Sequence, residues 1–146
     1  MGSFQLLTFI SFHRELAEES GVVAEEENVR QVGRIHFEFV GDPVWMDVHI
    51  YALEKYSGEV TETDEMKPAW FDANLKTLPF SEMWPDDKFW FPFLLSKTPF
   101  FAYFQFLGLD KILRYTIKQV KDNNFSDQSI PWYNDDEKQS ELTILQ

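Results

Sequence analysis

The sequence predicts an α/β (α+β) domain in which helices pack against a mixed β-sheet. Three observations lead there. Two period-two stretches, Val29 to Val40 and Val44 to Tyr51, are separated by the breaker Gly41-Asp42-Pro43. Two further strand-like runs, Phe100 to Phe106 and Ile112 to Val120, are joined through Gly108-Leu109-Asp110. Helix-forming segments precede the first pair and separate it from the second.

Taken in order, Phe4 to Phe12 fits both periods. Leu6, Phe9, Ile10, His13 and Leu16 suit a helix, whereas Phe4, Leu6, Ile10 and Phe12 suit a strand. Continuity with the good helix formers of Arg14 to Glu19 favours a helix, which Gly21 is placed to end. Glu25-Glu26-Glu27-Asn28 reads as a solvated acidic turn. In the first strand Val32, Arg34, His36 and Glu38 alternate with Gly33, Ile35, Phe37 and Phe39, and the next run completes a hairpin. Met66 to Phe71 predicts a short strand in which Pro68, unable to donate to a central ladder, suits an edge or a bulge. Trp84-Pro85-Asp86-Asp87 opens a helix running to about Ser96, since proline and acidic residues both suit a first turn. Trp90, Phe91, Leu94 and Leu95 supply its buried face. Beyond Lys121 the composition turns polar and acidic, with too few apolar residues for a second core.

At 146 residues, with 44 % hydrophobic and 17 % aromatic side chains, the chain is long enough for one packed domain. Thirteen basic against 25 acidic residues give a net charge of -12. That excess repels nucleic acid polymers and anionic membranes, while a small nucleotide escorted by a metal ion stays compatible. No cysteine is present, so there is no disulfide framework and no thiolate zinc site. Phe4 to Phe12 is too short to span a bilayer and has no basic residue before it, and the opening residues fail the myristoylation pattern. A monomer in the cytoplasm is expected, with mitochondrial or nuclear pools as alternatives.

Glu15, Glu18 and Glu19 stand three and four positions apart, so on a helix they converge on one face. Converging carboxylates repel unless a cation sits between them, and a hard divalent metal bound through oxygen would suit. The plainer alternative is a solvated face. His13, His36 and His49 match no zinc spacing and read as ordinary side chains. Trp84 with Asp86 and Asp87, taken alone, reads as a capped helix start.

The string Arg14-Glu15-Leu16-Ala17-Glu18-Glu19-Ser20-Gly21-Val22 resembles the second half of the Nudix box, G-x5-E-x7-R-E-U-x-E-E-x-G-U, with U a bulky aliphatic residue. Val32 to Gly41, Met46 to His49, Asp64 to Pro68 and Met83 to Asp87 extend the resemblance from Arg14 to about Val120. They are similar to the Nudix members that act on oxidised purine nucleoside triphosphates, the 8-oxo-dGTP and 2-hydroxy-dATP class. The resemblance implies a Nudix-like mixed sheet sandwiched by helices. It implies magnesium-dependent hydrolysis to monophosphate and pyrophosphate, with Glu15, Glu18, Glu19 and Glu65 as Mg2+ ligands. Glu19, Glu18 and Glu15 become the catalytic carboxylates, Glu19 the most sensitive, and Arg14 braces the box. Trp84, Pro85, Asp86 and Asp87 become the segment that reads the base, and Phe37 and Met46 line the same pocket.

The box glycine would fall before Met1, and its first glutamate falls on Leu6. The expectation is therefore a divergent segment over 1–13, an N-terminally incomplete Nudix-like domain over 14–120 and an acidic, disordered tail over 121–146. The alternative that follows is a catalytically impaired shortened isoform acting as a nucleotide-binding or interaction protein.

Overall fold

The alternating runs become β2 (Val29–Phe39), β3 (Met46–Leu53), β4 (Phe100–Leu107) and β5 (Lys111–Gln119). The computed structural model describes residues 4–5, 16–64, 69–126 and 143–144. Two-residue strands, β1 (Phe4–Gln5) and β6 (Thr143–Ile144), complete a six-stranded sheet of order β1-β3-β2-β4-β5-β6. β2 pairs antiparallel with β3 and parallel with β4, and β4 pairs antiparallel with β5. The sheet is mixed, as expected. Helix α1 covers 16–20 and helix α2 covers Asp87–Leu95. No helix among the described residues is long and apolar enough to cross a membrane.

Alternation places Ile35, Phe37, Val48, Ile50, Phe100, Ala102, Phe104 and Phe106 on one sheet face, where they bury together with Trp90 of α2. Phe89, Phe91, Phe93 and Leu94 of α2 pack on the same cluster. A fully buried side chain such as Trp90 contributes about 1.5–3 kcal/mol and the half-buried ones less, which together hold this helix to the sheet despite Pro92 within it. Leu95, assigned to the buried face from the sequence, stands outside this cluster, and Phe89 and Phe93 take its place.

Strict alternation fails at one point in β2. The register with β3 shifts between Gln31 and Gly33, and Val32 joins the cluster of Ile35 instead of facing the way of Arg34. An extra residue in a strand changes the phase of every side chain before it.

The opposite face is organised by Arg34. Its Nε and Nη2 donate to the two Asp47 oxygens at 2.8 and 2.6 Å, and its Nη1 donates to the Phe125 carbonyl at 2.8 Å. The guanidinium also lies 5.5 Å from the Phe101 ring centroid. His36 and His49 approach the same Asp47 carboxylate at 3.4 and 3.6 Å. Burial alone would raise the pKa of Asp47, but hydrogen bonds from Arg34 and His36 hold it well below the usual carboxylate range. These two histidines serve an ion pair, and His13 lies outside the described residues.

Three expectations change. Phe4 and Gln5 form a strand rather than a helix, pairing with His49 and Val48, because the β3 edge offers unpaired backbone groups. Ala69 to Phe71 form no strand, and Trp70 is 76 % exposed. Met66 to Pro68 lie outside the described residues. In the expected disordered tail, Phe125 is buried with Phe101 and Val120, and Thr143–Ile144 pair with β5. Arg34 accounts for the placement of Phe125, whose carbonyl accepts from the buried guanidinium.

Gly33 faces Phe100, and a Cβ there would meet the Phe100 ring at 2.4 Å. Phe100 is fully buried and cannot swing aside. Gly33→Ala should therefore destabilise the fold by roughly 1–3 kcal/mol, seen as a lower midpoint in denaturant. An unchanged midpoint would contradict this packing.

Candidate functional site

Where α2 begins, two adjacent carboxyls turn inward. Pro85 and Asp86 form a turn, and Asp86 is the N-cap of α2, yet its side chain makes no cap hydrogen bond. Instead its Oδ2 accepts from the indole Nε1 of Trp90, one helical turn on, at 2.9 Å. Asp86 and Asp87 are only 4 % and 3 % exposed. Asp87 Oδ2 has no hydrogen-bond partner among the described residues.

These carboxyls open into a cavity of about 370 Å³ lined by Phe37, Phe39, Met46, Trp84, Phe106 and Leu109 as well as the two aspartates. Its aromatic side is a ladder. Phe37 stacks on Phe104 with centroids 6.0 Å apart, and Phe39 stacks on Phe106 at 5.7 Å. Parallel pairing sets this spacing, since Phe37 and Phe39 are in register with Phe104 and Phe106. Met46 enters through the β2–β3 register opposite Phe37. Trp84 and Leu109 stay more than half exposed and form the mouth.

Burial raises the pKa of Asp86, with the Trp90 hydrogen bond pulling the other way. Burial, and then the charge of Asp86, push Asp87 up to about 7. Two adjacent carboxyls in an apolar slot do not both ionise readily, so the pair can present one donor and one acceptor. A flat, apolar slot with two polar groups at one end suits a heteroaromatic ring with a hydrogen-bonding edge.

The expected base-reading residues Trp84, Asp86, Asp87, Phe37 and Met46 are thus brought together. Pro85 is half-buried in the turn and does not line the cavity. The sequence reading gave Phe39, Phe106, Leu109 and Trp90 no part in the site. Phe39 shares the face of Phe37 by alternation, and Trp90 stands four residues after Asp86, so two of the four carried a local signal.

The carboxylate trio is only partly described. Glu18 is exposed and Glu19 half-buried on α1, while Glu15 and Glu65 lie outside the described residues. Among the described residues no group of three or more His, Cys, Asp or Glu is placed to hold a metal. Backbone bonds do fasten the 57–63 loop to the end of this helix. Gly21 donates to the Ala17 carbonyl at 2.9 Å and closes α1 at φ 77°. Thr61 N donates to the Ser20 carbonyl at 2.9 Å, and Thr63 Oγ1 to the Glu19 carbonyl at 2.7 Å. Val23 and Ser57 exchange two backbone hydrogen bonds. The approach is close because a Cβ on Gly21 would meet the Glu59 carbonyl at 2.3 Å, and one on Gly58 the Gly21 carbonyl at 2.3 Å. Helix-end carbonyls that would otherwise lack partners are so satisfied. Glu18 and Glu19 carry oxygen ligands only, the chemistry that a hard divalent cation prefers.

No protein-family model matches the chain. The fold is that of the mutator MutT protein from Bacillus halodurans, with a TM-score of 0.64 at 21 % identity over 76 % of this chain and 74 % of that one. A Danio rerio protein named oxidized purine nucleoside triphosphate hydrolase is 46 % identical over 109 residues, 75 % of this chain and 67 % of the relative. Its Mus musculus namesake is 47 % identical over 107 residues, 73 % of this chain and 66 % of the relative. The chain belongs to the Nudix hydrolase family. It spans about two thirds of the length of these two relatives.

A raised carboxyl pKa means that the folded state holds the Asp87 proton more tightly than the unfolded chain does. Stability from this group is therefore greatest below the ordinary value of 3.8 and falls as pH rises towards about 7. Relative to Asp87→Asn, the unsubstituted protein should lose stability over that interval, by up to roughly 4 kcal/mol at about 1.36 kcal/mol per pKa unit. Thermal melts across the interval measure it, and a constant difference between the two proteins would refute the buried, proton-holding state of Asp87.

Proposed function

We propose that this chain hydrolyses oxidised purine nucleoside triphosphates, of the 8-oxo-dGTP and 2-hydroxy-dATP class, to monophosphate and pyrophosphate with magnesium. The observation that carries the reading is the apolar slot ending on two buried, adjacent carboxyls, Asp86 and Asp87, with Trp84 at its mouth. Oxidation alters the donors and acceptors on a purine edge, and a pair holding a single proton can meet such edges with one donor and one acceptor. Trp84 supplies a face on which the ring can stack. The names of the two relatives agree with this substrate class.

Glu15, Glu18, Glu19 and Glu65 would hold the magnesium. Bound there, the metal would neutralise phosphate oxygens and template the attack of water on phosphorus. The carboxylates have their own part, since one of them, Glu19 by this reading, orients the attacking water or takes its proton. The hydrogen bonds from Thr61 and Thr63 fix the helix end that carries Glu18 and Glu19. The chain would act as a monomer on the cytoplasmic nucleotide pool.

A second reading rests on one residue. Leu6 stands where the Nudix box has its first glutamate, which favours a chain that binds nucleotide without turning it over.

Incubation of the purified chain with 8-oxo-dGTP and magnesium should yield monophosphate and pyrophosphate, and Glu19→Gln should lower kcat by about 100-fold or more. Turnover no greater than that of Glu19→Gln would sink the hydrolase reading. Nucleotide-dependent thermal stabilisation without turnover would select the binding reading in its place.

A further inference from the structure

One side chain reaches between the two segments expected to carry metal ligands. At the end of α1 the carbonyls of Leu16 and Ala17 are taken up locally, by the Ser20 hydroxyl at 2.6 Å and the Gly21 N–H at 2.9 Å. Those of Glu19 and Ser20 turn to the loop instead. Thr63 donates its hydroxyl to the first at 2.7 Å, and Thr61 its main-chain N–H to the second at 2.9 Å. The two threonines therefore differ in kind. Thr61 is exposed, and its hydroxyl makes no hydrogen bond among the described residues, so its part in the joint does not depend on its side chain. Thr63 is half-buried, and its link to Glu19, 44 positions away, exists only through the hydroxyl.

We propose that Thr63 is a positioning residue for the divalent metal: its hydroxyl ties the segment leading to Glu65 to the helix end that carries Glu18 and Glu19, and so sets the affinity for the ion without touching it. This rests on the reading of Glu15, Glu18, Glu19 and Glu65 as the magnesium ligands. The bond ends on the residue that bears one of those carboxylates. Its other end stands two residues before Glu65, a step over which a chain spans at most about 7 Å.

Carboxylates borne by separate segments repel one another until an ion arrives, and the repulsion drives the segments apart. A tether between the segments opposes that drift and leaves less ordering for the ion to impose. Groups that orient ligands from outside the metal typically weigh roughly 10–100-fold in its affinity. Removing the hydroxyl would also leave the Glu19 carbonyl without this donor, so the helix end would lose a partner as the loop is released.

Binding of Mn2+ to the nucleotide-free protein, followed by the electron paramagnetic resonance of the free ion, tests this without reference to turnover. Thr63→Val keeps the shape of the side chain and removes the donor, and should weaken Mn2+ binding by about tenfold. Thr63→Ser retains the hydroxyl and should restore the affinity. Equal affinity of Thr63→Val and the unsubstituted protein overturns the proposal, and so does a loss in Thr63→Ser as large as that in Thr63→Val. A merely structural part for Thr63 would lower the melting temperature of the metal-free variant and leave the affinity of its folded form unaltered. Coupling is reciprocal, so saturating Mg2+ should slow exchange of the Thr61 amide, which donates across the same joint, by about tenfold in the unsubstituted protein. This measurement needs no variant to fold, and an unchanged exchange rate overturns the proposal. If the unsubstituted protein binds no Mn2+, the magnesium reading itself fails and takes the proposal with it, whereas metal binding indifferent to Thr63 removes the proposal alone.

Discussion

Parallel pairing of β2 with β4 is the constraint from which the rest of this structure follows. Antiparallel neighbours can be joined by a short turn, but parallel ones need a long crossover. Here the crossover leaves the end of β3 and returns at Phe100, and it carries both the loop that meets α1 and the helix that bears Asp86 and Asp87. Its first part lies against the end of α1 through Thr61 and Thr63. Its last part is α2, which brings Asp86 and Asp87 over the aromatic ladder created by the same pairing. Gly33 allows that pairing to close, because Phe100 occupies the space where a side chain would stand.

The two sheet faces use opposite electrostatic solutions. On the Arg34 face an anion is kept charged: Asp47 is matched by a guanidinium in two-point geometry and approached by two imidazoles. On the α2 face the carboxyls meet no cation among the described lining residues, and burial pushes both towards neutrality. In a chain of net charge -12 such a pair is costly to stability. A cost of that kind is usual where a binding site has been placed.

Much of this was legible in the sequence because it is local. Period-two alternation identified both hairpins, and Gly21 and Gly108 marked real chain reversals at positive φ. The five expected pocket residues other than Pro85 came from the resemblance, since periodicity alone cannot say which buried aromatic faces a cavity. What stayed hidden is long-range. Phe106 reaches the pocket through parallel register with Phe39, and Phe125 is placed by Arg34, 91 positions earlier, and by packing on Phe101 and Val120. Val32 was misplaced because a bulge leaves no composition signal of its own. The two-residue strands at the sheet edges are too short for any period to be read.

The fastening of the 57–63 loop to α1 has a consequence for how this protein tolerates sequence change. With the exception of the Thr63 hydroxyl, the bonds named across that joint run between main-chain atoms of Ser20, Val23, Ser57 and Thr61. Main-chain atoms are the same whatever residue bears them. The outward side chains of this loop can therefore drift through generations of substitution while the acidic helix end keeps its seat. The joint depends on the course of the main chain and on the bare Cα atoms of Gly21 and Gly58, not on what the loop shows to solvent.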